Sequence, residues 1–144
     1  MKRHYLSVVG YVFATFLVQG TSHFAVFARH YARIPILKTE PNFALGFSSM
    51  LIQGGILSFV LANSRFNTGR LLDAVRCAWL FGAFLVSYIA LAEPGKYNVP
   101  SIISWIGVEA SVGFIQFTLI GLLYGLAHRT DRVTAPRAVY GSHQ

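Results

Sequence analysis

Acidic side chains are nearly missing from this chain: Asp and Glu together number five, against twelve Lys and Arg. Cysteine is scarcer still. Cys77 stands alone, which excludes an intrachain disulfide and CxxC chemistry, and it says nothing about redox compartment. No GxSxG is present and no histidine sits beside Cys77, so nucleophilic catalysis has no motif to rest on. Internal repeats and low-complexity tracts are also missing. The longest polar stretch is the tail from His128 to Gln144, which leaves no room for a separate soluble domain.

Charge is missing most tellingly over long runs. Tyr5 to Ala28 is 24 residues without Asp, Glu, Lys or Arg, and Pro41 to Ser64 is another 24. Tyr97 to Ala127 holds one charge, Glu109, in 31 positions. Leu71 to Ala92 carries Asp73 and Arg76 in its first turns and is uncharged from Cys77 onward. Roughly 20 apolar residues of helix cross a hydrocarbon core about 30 Å thick. The sequence therefore predicts an all-α integral membrane protein, a single domain of residues 1–144 with four transmembrane helices near 5–28, 43–63, 71–92 and 101–127 and a cytoplasmic polar tail over 128–144. Short connections force neighbouring helices antiparallel, giving an up-down-up-down bundle.

Punctuation fits these spans. Thr39-Glu40-Pro41-Asn42 reads as a turn into the second helix, Asn67-Thr68-Gly69 breaks the chain before the third, and Glu93-Pro94-Gly95 ends it. Pro100 sits at the start of the fourth helix, where its missing N–H is tolerated. Met1-Lys2-Arg3 resembles the start of a signal peptide, but the apolar run after it far exceeds the usual h-region, so a retained first helix is expected.

The net charge of +7 would point to nucleic acid in an aqueous protein. Here the basic residues cluster at the ends of apolar spans, where topology and anionic headgroups account for them, and no nucleic-acid partner is expected. Lys2, Arg3, Arg65, Arg70, Arg76, Arg129, Arg132 and Arg137 fall on one side; Arg29, Arg33, Lys38 and Lys96 fall on the other. Eight against four places both termini in the cytoplasm, in a multi-pass protein of the cell (inner) membrane. Arg70, Asp73 and Arg76, three residues apart, read as a salt-linked collar; contact of Arg70 and Arg76 with lipid headgroups is the sharper alternative.

Thr39-Glu40-Pro41, Gln53-Gly54-Gly55-Ile56-Leu57, Leu91-Ala92-Glu93-Pro94-Gly95-Lys96-Tyr97, Trp105-Ile106-Gly107-Val108-Glu109 and Gln116-Phe117-Thr118-Leu119-Ile120-Gly121 form a set of short motifs. On these the chain resembles a group of small bacterial four-helix integral membrane proteins, over about Phe24 to Leu126. The resemblance implies the fold and no established activity. It does not extend to the four-helix small multidrug transporters, whose functional carboxylate lies in the first helix, where this chain has none.

An ionisable group within a span is costly unless paired, hydrated or protonated. Glu109 lies about 12 Å into the fourth helix at 1.5 Å per residue, on one face with Trp105, Gly113 and Gln116. Two readings fit it: a carboxyl that gains and loses a proton in a small cavity, or a structural hydrogen bond to a neighbouring helix. His23 shares a face with Gln19, Val26 and His30 and lies in the outer third of its helix, close to the depth of Glu109, with Gln53 of the second helix slightly deeper. Tyr88 and Glu93 reach the same side from the third. His23, Gln53, Glu109 and Gln116 are therefore the candidate outward-facing polar cavity.

Haem and metal readings fail on spacing. His23 and His30 lie about 10.5 Å apart along one helix, too far to grip one haem iron from opposite faces. His23, Glu93 and Glu109 would give zinc three ligands, but none has diagnostic spacing. No metal and no cofactor is expected. Small residues at Ala74, Ala78 and Gly82, and the Gly121–Gly125 GxxxG, promise close helix packing inside the bundle or between copies.

For function, small size and absent catalytic motifs favour a non-enzymatic accessory or assembly component of the bilayer, alone, as a homo-oligomer or in a larger membrane complex. A proton-coupled small-solute transporter built on Glu109 is the alternative. A membrane enzyme acting on lipid or quinone is the third class.

Overall fold

A computed structural model describes residues 1–35 and 42–129. The turn expected at Thr39-Glu40-Pro41 and the tail beyond Arg129 lie outside the described residues. All regular structure among the described residues is helical. Four helices are long and apolar enough to cross a membrane: α1 (Lys2–Val26), α3 (Phe43–Asn63), α4 (Leu71–Ala92) and α5 (Ile102–Arg129), with the short α2 (Ala28–Tyr31) following α1. α1 starts at Lys2, ahead of the uncharged run, because long basic side chains reach the interface while their backbone stays helical.

The exterior matches a lipid solvent. Phe13, Phe59, Phe84 and Ile103 are 60%, 65%, 80% and 86% exposed, a distribution that water would penalise and hydrocarbon does not. The chain is accordingly a small multi-pass membrane protein in contact with the bilayer.

The centre of the assembly is α5. Of its apolar window 44% is buried, against 22% for α1 and for α3. It packs on α4 and on α1; α3 leans mainly on α1 and touches α4 only sparsely. The α4–α5 contact is close because it lacks side chains. A Cβ on Gly121 would come within 2.6 Å of the Val75 Cα, and one on Gly125 within 3.2 Å of the Leu71 Cα. Ala74 and Ala78 face these two glycines, so the small-residue stripe of α4 and the GxxxG of α5 serve each other inside the chain.

Two apolar clusters result. Tyr11, Leu57, Leu61, Ala78, Phe117, Ile120 and Tyr124 form the larger, and Tyr31, Ile34, Trp105, Val108 and Val112 form the one nearer the α1–α3 and α4–α5 connections. Buried tyrosines in a membrane core need acceptors. Tyr124 donates to the Gly54 carbonyl at 2.7 Å and Tyr11 to Gln53 Oε1 at 2.7 Å.

Candidate functional site

α1 and α4 both end in a π-helical turn, Ser22–Val26 and Tyr88–Ala92, at the same end of the molecule. Such single turns shift the following residues around the helix axis and recur at functional sites. In α4 the end of the turn is legible. The Glu93 N–H bonds to the Tyr88 carbonyl at 3.1 Å, five residues back, which leaves Ile89 facing Pro94, a residue with no N–H. The indole N–H of Trp105 supplies the missing donor, reaching the Ile89 carbonyl at 2.9 Å. This bond ties the end of α4 to the first turn of α5.

The turn in α1 leads directly into α2, which carries Tyr31. The buried Tyr31 hydroxyl donates to Glu109 Oε1 at 2.8 Å. His23 lies flat against the Tyr31 ring, centroids 3.7 Å apart and planes 11° from parallel, while its Nδ1 donates to the Gln19 carbonyl at 3.0 Å. A carbonyl only accepts, so Nδ1 carries the hydrogen. His30 meets the Tyr31 ring edge-on at 5.3 Å, and its Nδ1 lies 3.3 Å from Ser104 Oγ. Burial holds the Tyr31 phenol above its ordinary range; Ser22 opposes that rise and the Glu109 charge adds to it. Glu93 is raised too, first by burial and then by Glu109, with Lys96 pulling the other way.

Beyond Glu109 lies a cavity of about 270 Å³ between all four spans. Thr15 and Gln19 of α1, Ser49 and Gln53 of α3, and Glu109 and Gln116 of α5 supply its polar wall; Met50, Leu85, Val86, Ile89 and Phe117 supply the apolar one. Its amides are held in order. Gln19 Nε2 donates to Gln116 Oε1 at 2.7 Å, Gln116 Nε2 to Thr15 Oγ1 at 3.1 Å, and Gln53 Nε2 to Ser49 Oγ at 3.0 Å. Among the described residues that line it there is no Lys, Arg or His.

The structure thus brings Gln53, Glu109 and Gln116 to one cavity and leaves His23 outside it, where His23 touches Glu109's hydrogen-bond partner instead. Tyr88 turns away, accepting from Lys96 Nζ at 3.2 Å. Arg76 is bonded to Asp73 at 3.0 Å, with Thr68 on the other carboxylate oxygen at 2.6 Å; Arg70 is the extended residue just before α4. Among the described residues no three of His, Cys, Asp and Glu come together closely enough to hold a metal ion. Tyr31 is the site residue that sequence reasoning missed. It falls between Arg29 and Arg33, in a stretch whose charge reads as a connecting loop.

Comparison with protein-family models, with curated proteins and with solved structures finds no match for this chain.

Proposed function

We propose that this chain is a small membrane transporter that binds a polar solute in the cavity between its spans and exchanges it against a proton at Glu109. The distribution of Lys and Arg favours cytoplasmic termini, which puts the cavity in the outer half of the bundle, toward the Arg33 and Lys96 end. The inner membrane of a bacterium is the setting that the resemblance to small bacterial four-helix proteins implies. The observation that supports the reading is convergence: side chains from all four spans meet at one cavity whose wall holds Glu109. About 270 Å³ is slightly below the usual range for pockets of drug-sized ligands, which matches a small solute or a head group. A carboxyl there, bonded to Tyr31 and bordered by neutral amides, has two states that a bound cation and a bound proton would each satisfy.

Reconstituted vesicles carrying a pH gradient test this. Solute uptake or efflux should follow the gradient in the natural chain and stop in Glu109→Gln, which keeps shape and hydrogen bonding but cannot exchange a proton. Gradient-driven flux that survives Glu109→Gln would overturn the assignment. Water access is read separately at Gly46, which lines the cavity and has free space for a new side chain. Gly46→Cys in a Cys77→Ser background should react with a membrane-impermeant thiol reagent added from outside.

One observation favours a second reading, a non-enzymatic accessory or assembly subunit. Every residue from Asn42 to Ser49 is exposed, so the first two turns of α3 lack cover within the chain. A partner that remains bound through gentle detergent extraction and hides Gly46→Cys from the reagent would support it.

A further inference from the structure

The cavity is enclosed on three sides and open on the fourth. α3 against α1, α1 against α5 and α5 against α4 are packed pairs, whereas α3 meets α4 only sparsely. The uncovered side lies along Gly46 to Gln53 of α3, opposite Leu85 to Ile89 of α4. Gly46 to Gln53 are three to ten residues from the start of α3, roughly 5–15 Å along its axis. In a bilayer with a hydrocarbon core about 30 Å thick, that depth belongs to the acyl region of one leaflet.

The lining is divided accordingly. Polar groups come from three spans: Thr15 and Gln19 of α1, Glu109 and Gln116 of α5, and Ser49 and Gln53 of α3, the last two beside the opening. The α4 side of the opening carries Leu85, Val86 and Ile89. A carboxyl with amide and hydroxyl oxygens, and no cationic side chain among the described lining residues, favours an ammonium donor and disfavours phosphate or carboxylate.

We infer that the cavity opens sideways to the lipid between α3 and α4 and takes a lipophilic amine, with its ammonium at Glu109 and its hydrocarbon tail leaving past Met50 and Leu85. This rests on the reading of Glu109 as the solute-binding group and adds the class of solute and the direction of entry. Amphiphilic amines concentrate in the bilayer, so a lateral entrance meets them where they already are. Acyl chains beside the opening are equivalent solvent for the tail, so specificity lies with the head group.

The test uses the full chain in lipid nanodiscs and a dodecylamine carrying a photoreactive diazirine midway along its chain. Expected adducts fall on Met50, Leu85 and Ile89, saturate, and are competed by unlabelled dodecylamine but not by dodecanoate. They should drop at least tenfold in Glu109→Gln. Gly46→Trp, placed where nothing stands within 4 Å of the new Cβ, should block entry of the long amine by a similar factor. It should leave intact the thermal stabilisation conferred by ethylamine, which has no tail to pass. Gly46→Leu, a smaller blocking side chain at the same open position, is the second variant should Gly46→Trp fail to fold.

Adducts spread evenly over lipid-facing residues such as Phe59 and Phe84, or unchanged in both blocking variants, would overturn the lateral entrance. If ethylamine still stabilises the protein in a Glu109-dependent way, the solute reading stands without the entrance. If neither amine depends on Glu109, that reading itself fails.

Discussion

The Tyr31 hydroxyl and the Glu109 carboxyl meet across 2.8 Å, although 78 residues separate them in the chain. The bond joins the short α2, beyond the end of the first span, to the upper part of the central helix. It fills one face of a carboxyl whose other side borders the cavity. Tyr31→Phe removes the donor and leaves the ring, with its stacking on His23, in place. Thermal unfolding in detergent should show a loss of about 1–2 kcal/mol, the upper range for interhelical bonds in membranes and the lower range for bonds to charged groups. No measurable change would mean that Glu109 takes another partner when the phenol is removed.

Glu109→Gln and Glu109→Leu separate packing from proton exchange. Glutamine still accepts from Tyr31, so stability should change by less than about 0.5 kcal/mol while proton-coupled flux is lost. Leucine strands the Tyr31 hydroxyl and should cost about 0.6–2 kcal/mol. Full flux in both variants would make Glu109 a packing residue.

Much of this arrangement was legible in the sequence, for definite reasons. Uninterrupted apolar runs and turn residues mark four spans because bilayer thickness fixes helix length. That Gln53, Glu109 and Gln116 lie within those spans followed from counting along them. Lateral neighbours did not. Helical periodicity gives the face on which Gln116 lies but not that Gln19 of α1 stands opposite it, bonded at 2.7 Å. His23 was expected to share the cavity with Gln53, Glu109 and Gln116, yet the π turn at Ser22–Val26 sets its ring against Tyr31 and outside the cavity. A π turn depends on tertiary contacts, and Ser-His-Phe-Ala-Val carries no local mark of one. The turn in α4 has a mark only at its end, since Pro94 lies five residues after Ile89 and has no N–H to continue the bonding.

That missing donor makes Trp105 testable. Trp105→Phe keeps an aromatic ring but leaves the Ile89 carbonyl without its 2.9 Å partner. An unmet buried carbonyl costs about 1–3 kcal/mol, and this partly buried one should fall at the lower end. The loss should be concentrated at the end of α4, read as faster amide exchange over Tyr88–Ala92 than over Leu71–Ser87. Uniform exchange along α4 would show that the indole bond does not hold the turn.

Glu93 gives the stability a pH dependence of known sign. Its carboxyl is raised in the folded protein from an ordinary value of 4.5, so between the two pKa values the native state holds more proton than the unfolded state. Stability then falls as pH rises through that window, and the contribution is full only below 4.5. Unfolding followed from pH 4 upward should show this decline, and Glu93→Gln should flatten it. Lys96→Ala, which removes the opposing charge, should deepen it. An identical pH profile for Glu93→Gln would assign the dependence to another group.

The α4–α5 contact sets the last expectation, because there the backbone itself is the obstacle. A methyl at Gly121 would sit 2.6 Å from the Val75 Cα and 3.1 Å from the Ala78 Cβ. Neither atom belongs to a flexible side chain that can swing aside, so α4 must move away from α5. Overpacking of this kind typically costs about 1–3 kcal/mol. Gly55→Ala is the matched control: it is also helical, but nothing lies within 4 Å of its new Cβ, and the gain in helix propensity should stabilise it slightly. Because Val86 and Phe117 line both the α4–α5 contact and the cavity, a separation at Gly121 is transmitted to the cavity wall. Gly121→Ala should therefore lower both melting temperature and solute binding, and Gly55→Ala neither. Equal melting temperatures for the two variants would show that α4 and α5 do not approach as closely in the bilayer as their glycines require.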